Sequence, residues 1–82
     1  MHSQNGTRPT IRLRRHEWDK RMKAKQLPTA HARAERIGVS RWTVMRVEKG
    51  GMRPGESFIA AVLDAFTDIR FEDVFEIEQV SS

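Results

Sequence analysis

Ala34-Glu35-Arg36-Ile37-Gly38-Val39-Ser40-Arg41-Trp42-Thr43-Val44-Met45-Arg46-Val47-Glu48 is the stretch whose reading decides the fold. It predicts two short helices joined by a tight turn. Gly38 follows the last apolar position of the first helix, where a left-handed cap is cheap only for glycine. Ser40, two residues on, is placed to accept from free backbone N–H groups and so to start the second helix. Val44 and Val47 recur at helical spacing and give that helix a buried side. Arg41, Trp42, Met45 and Arg46 are left to face outward. A helix presented in this way, with arginines on its free side, suits the major groove of DNA.

Outward from this stretch, the chain reads as a string of helices. Residues 1–10 read as a mobile tail, since residues 1–9 have no apolar residue beyond Met1 and include Gly6 and Pro9. Ile11-Arg12-Leu13-Arg14 alternates as a strand or an extended arm would, although Thr10 also suits a helix cap. A helix is predicted from about Arg14 to Lys25, with Trp18 and Met22 one turn apart on its core side and Pro28 beyond its end. Thr29 is the natural cap of the next helix, whose buried stripe is Ala30, Ala34 and Ile37. The following helix, about Arg41 to Lys49, stops at Gly50-Gly51. A fourth begins near Glu56 or Ser57 and places Ile59, Val62, Leu63 and Phe66 on one face, with Phe58 close by. A short fifth, Phe71 to Phe75, closes the core with Phe71, Val74 and Phe75. Residues 76–82 then form a tail. Glu76-Ile77-Glu78-Gln79-Val80 alternates, compatible with a strand or with disorder, and Phe75, Ile77 and Val80 are candidates for a dimer contact. The expected fold is all-α: five helices over residues 11–75, between two tails.

Composition narrows the function classes. Eighty-two residues allow one small core. The absence of cysteine excludes disulfides and thiolate metal sites. No apolar run approaches the roughly 20 residues of a membrane span and no signal-peptide pattern opens the chain, so a cytoplasmic location is expected. The net charge of +4 hides a steep division. Residues 1–53 carry fourteen Lys/Arg against four Asp/Glu, whereas residues 54–82 carry one against seven. One half attracts a polyanion and the other is expected to stay off it. His2, His16 and His31 are too scattered for a metal site. Nothing resembles a phosphate-cradling glycine loop or a nucleophile with its base, so neither an enzyme nor a cofactor or small-molecule ligand is expected.

Gly38-Val39-Ser40, Thr43-Val44, Arg46-Val47-Glu48-Lys49-Gly50 and Arg53-Pro54 together resemble the Cro/repressor-type helix-turn-helix family of phage and bacterial regulators. Ile59, Val62, Leu63, Ala65 and Phe66, then Phe71 to Phe75, also fall at the family's spacing, so the resemblance runs from about Arg14 to Phe75. It departs at Ala30, where the family usually has Gln, at Arg33, where it has Leu, and at Gln26-Leu27-Pro28, where Gly-Leu is usual. The resemblance implies a compact lambda-repressor-like domain, and a structural role for Glu48, paired with a base on the first helix such as Arg21 or Lys23.

The partner expected from residues and resemblance together is a double-stranded DNA operator. Arg41 and Arg46 are candidates for bidentate contact with guanine, or for phosphate contact or an ion pair. Trp42 suits a thymine methyl or sugar, or packing against the second helix or the amino-terminal arm. Met45 is a further apolar contact with the groove or a plain surface residue. Phosphate contacts are expected from Thr29, His31, Arg33, Ser40, Thr43, Lys49 and Arg53, with Arg12, Arg14 and Arg15 adding attraction along an arm. Arg33 is alternatively a plain exposed residue, and Ser40 is also a cap. Two subunits on a near-palindrome, paired in solution or only on DNA, would lengthen the site. The alternatives are an antitoxin whose main partner is a toxin, and an accessory protein that bends DNA.

Overall fold

The structure, a computed structural model, describes residues 6–81. Its elements run β1 (Thr7–Leu13), α1 (Arg15–Ala24), α2 (Ala30–Ile37), α3 (Arg41–Lys49), α4 (Glu56–Ala65), α5 (Phe71–Val74) and β2 (Phe75–Ser81). The five helices stand as expected, but the all-α class does not. β1 and β2 pair antiparallel in a two-stranded sheet, from Thr7↔Ser81 to Leu13↔Phe75. The fold is therefore α+β.

The pairing has a clear cause. Both ends of the chain alternate with period two. In the register that sets the apolar Leu13 opposite Phe75 and Ile11 opposite Ile77, Arg12 falls opposite Glu76 and Thr10 opposite Glu78. At its inner end the ribbon thus carries apolar pairs on one face and the opposite-charge pair Arg12–Glu76 on the other. The tail expected over residues 1–10 is strand from Thr7 onward, and the tail after Phe75 is strand to Ser81; residues 1–5, His2 among them, lie outside the described residues. The inner end of the ribbon is buried and its outer end exposed, so it extends from a helical body and the molecule measures 49 × 24 × 20 Å.

The core is the meeting point of all the helices with the ribbon's inner end. Trp18, Met22, Val44, Val62 and Val74 are fully buried, joined by Phe58, Phe66, Ile69, Leu13 and Phe75. Trp18 and Phe58 lie 6.0 Å apart between ring centroids, and Phe58 meets Phe75 edge-on at 6.3 Å. α4 turns its Phe58, Val62 and Phe66 stripe inward, while Ile59 and Leu63 are only partly buried, a rotation from the expected face. Ala30 too is only partly buried. Phe75 belongs to the core and is not available as a dimer contact; Ile77 is exposed. Among the described residues no helix is long and apolar enough to cross a membrane.

Candidate nucleic-acid interface

The turn between α2 and α3 is built by three devices. Gly38 adopts φ +90°, and the N–H groups of Gly38 and Val39 both return to Ala34 O at 2.8 and 3.1 Å. That arrangement closes the last turn of α2. Ser40 Oγ then accepts from Thr43 N at 3.1 Å and starts α3. Thr29 Oγ1 does the same for α2, accepting from Ala32 N at 3.1 Å. Gly50, at φ +82°, ends α3.

Glu48 fixes the direction in which α3 faces. Its carboxylate accepts from Trp18 Nε1 at 2.6 Å and from Arg33 Nη1 at 2.8 Å. The side chains of Glu48 and Arg33 are 8% and 13% exposed, so this ion pair is largely withdrawn from water. Arg33 Nε also donates to Leu27 O at 2.8 Å, and Arg15 Nη1 donates to Glu48 O. The phosphate role expected of Arg33 is thus corrected: the side chain ties α2 to α3 inside the molecule. The expected partner of Glu48 is corrected as well. Arg21 turns instead toward Asp73, at 3.6 Å, because the side of α1 that meets α3 carries Trp18.

With Val44, Val47 and Glu48 turned inward, α3 presents Arg41, Trp42, Met45, Arg46 and Lys49 on its other side. Arg41, Trp42, Arg46 and Lys49 are exposed, and Met45 is half-buried. Trp42 is 58% exposed, a large apolar ring left in water. The Arg41 guanidinium sits over that ring, 5.2 Å from its centroid, a cation–π contact that orients both groups. Among the described residues Arg41, Arg46 and Lys49 have no carboxylate partner. The four residues expected to read bases are therefore gathered on one surface.

The expected phosphate contacts divide. Ser40 Oγ and Thr43 Oγ1 lie 3.0 Å apart at the amino end of α3. Thr29 and His31 stand at the amino end of α2, where His31 Nε2 lies 3.4 Å from Glu35. Lys49 is left without a carboxylate partner among the described residues, whereas the other expected cations are engaged. Arg12 Nη2 lies 2.5 Å from Glu76, and Arg53 Nη1 lies 2.5 Å from Glu78. Arg14 donates to Glu72 O at 2.8 Å, and Arg15 pairs with Asp19 at 2.8 Å. The acidic half does not stay apart from the basic half; β2 lays Glu76 and Glu78 on it. These two acids went unrecognised as site residues, although the matching alternation of residues 11–14 and 75–78 carried the signal. A separate pair lies at Lys25 and Asp68, 2.7 Å apart, where the ammonium holds the Asp68 carboxyl below the ordinary carboxylate range. No protein-family model, curated protein or solved structure matches the chain.

Proposed function

We propose that the protein is a sequence-specific DNA-binding regulator of the Cro/repressor type, which inserts α3 into the major groove and represses by occupying an operator. The observation that carries this reading is the outer side of α3, where Arg41, Trp42, Met45 and Arg46 lie together with no carboxylate among them. A helix of nine residues is about 13 Å long. The major groove, about 12 Å wide, admits such a helix. Arg46 and Arg41 supply forked donors for guanine O6 and N7, and Trp42 offers an apolar face to a thymine methyl. Ser40, Thr43, Thr29 and Lys49 supply donors to the phosphates on either side. One such helix covers few base pairs, so the operator is read by two copies on a near-palindrome.

Selection of bound duplexes from a random pool tests the reading. A recurrent half-site, bound more tightly than random DNA and with an affinity that falls as salt rises, is the expected result. Equal affinity for every sequence would remove the regulator reading. With the half-site known, Arg46→Ala should cost about 1–3 kcal/mol and relax preference at one base position. A uniform loss on all sequences would instead make Arg46 a phosphate contact.

A further inference from the structure

At the carboxyl end of α3 lies a cleft of about 180 Å³, lined by Arg12, Arg15, Lys49 and Arg53 among others. The only carboxylate among its lining residues, Glu48, is committed to Arg33 and Trp18. Lys49 belongs both to this cleft and to the outer side of α3, so the cleft continues the surface assigned to DNA. Arg15 is paired with Asp19 of α1, and the counter-ions of Arg12 and Arg53 come from β2. Glu78 meets Arg53 at 2.5 Å and Arg12 at 3.8 Å, while Glu76 meets Arg12 at 2.5 Å and Arg14 at 4.0 Å. Strand alternation sets both acids on one face of β2, and the register holds them beside Arg12.

A carboxylate and a phosphodiester offer a guanidinium the same pair of anionic oxygens. The guanidinium side chains of Arg12 and Arg53 are 53% and 50% exposed, and the two glutamates 39% and 34%. Pairs this open to water are weak and exchangeable, unlike the largely withdrawn Arg33–Glu48 pair. We propose that Glu78, assisted by Glu76, occupies in the free protein the places that DNA phosphates take in the complex. β2 is thus an intramolecular competitor that lowers sequence-independent attraction for DNA. The proposal rests on the DNA-binding reading of α3. Binding exchanges carboxylate for phosphate at Arg53 and Arg12 while the ribbon's backbone pairing remains.

The test measures affinity for a labelled random-sequence duplex at low salt. Glu78→Gln keeps the size of the side chain and removes its charge. It should tighten binding by up to about five-fold, the upper end of what one exposed ion pair contributes, with the gain shrinking as salt rises. Asp64→Asn on α4 makes the same change in net charge away from the cleft and should gain clearly less. In an Arg12→Ala/Arg53→Ala background Glu78→Gln should gain no more than Asp64→Asn does. A Glu78→Gln gain equal to that of Asp64→Asn, or one that survives in that background, would overturn the competitor. A readout free of variants is the Glu78 carboxyl ¹³C resonance of the wild-type protein. Addition of the duplex should move it and leave that of Asp64 in place; an unmoved Glu78 signal is equally fatal to the proposal. If the wild-type protein binds no duplex even at low salt, the DNA-binding reading fails first and takes the competitor with it.

Discussion

At the residue scale, two glutamates of similar chemistry have opposite fates. Glu48 is largely withdrawn from water and shared by Trp18 and Arg33, whereas Glu78 is partly exposed beside Arg53. Removal of one partner from a withdrawn ion pair leaves the other charge without compensation, at a cost of about 3–5 kcal/mol. Glu48→Ala should therefore unfold at much lower urea concentration, since a domain has only about 5–15 kcal/mol to lose. A loss below about 1 kcal/mol, the range of an exposed pair, would show that Arg33 finds water instead. Glu48 was legible as structural from the sequence, but its partner was not. Arg21 and Arg33 are equally arginine, and only packing decides which one reaches across.

At the element scale, the caps decide where helices stop. Gly38 is at φ +90° with nothing within 4 Å of a would-be Cβ. Gly38→Ala thus meets no neighbour and suffers only the backbone penalty of the left-handed region, about 1–2 kcal/mol. Gln26 is the mirror case. It ends α1 at φ +61° although it has a side chain, with Leu27 N returning to Met22 O at 2.9 Å. Gln26→Gly should stabilise by up to about 1 kcal/mol, because glycine takes that conformation without strain. Thermal melts of the two variants should move in opposite directions, and a shift of both to lower temperature would contradict the account of Gln26. The helices were legible because their signals are local: a cap, a stripe of period 3.6, a glycine. The finer error on α4, where Phe58 displaces Ile59 and Leu63 from the inner face, arose because adjacent stripes of one apolar helix differ only in what packs against them.

At the scale of the whole molecule, the two strands escaped because each needs a partner more than sixty residues away. Alternation in residues 11–14 and 76–80 was visible, but neither run says what it will pair with. That α3 was legible as an element, whereas the intramolecular partners of Arg12, Arg14 and Arg53 were not, has that single origin. α3 is defined by its own residues, while those arginines are defined by β2. A charge count by halves set the acidic half off a polyanion, yet folding lays Glu76 and Glu78 of the last strand beside Arg12 of the first and Arg53 of the loop after α3.

The ribbon also bears on the order in which the chain assembles. Joining residue 13 to residue 75 closes almost the whole chain into a loop, the costliest closure in the molecule, and its entropy is recovered only after the helices have packed. Zipping outward from Leu13 and Phe75 toward Thr7 and Ser81 is therefore expected to be the last event of folding and its reversal the first of unfolding. Amide hydrogen exchange should show it: protection lowest at the outer ribbon and highest in α3 and α4 around Val44 and Val62. Equal protection in both places would mean that strands and helices form one cooperative unit.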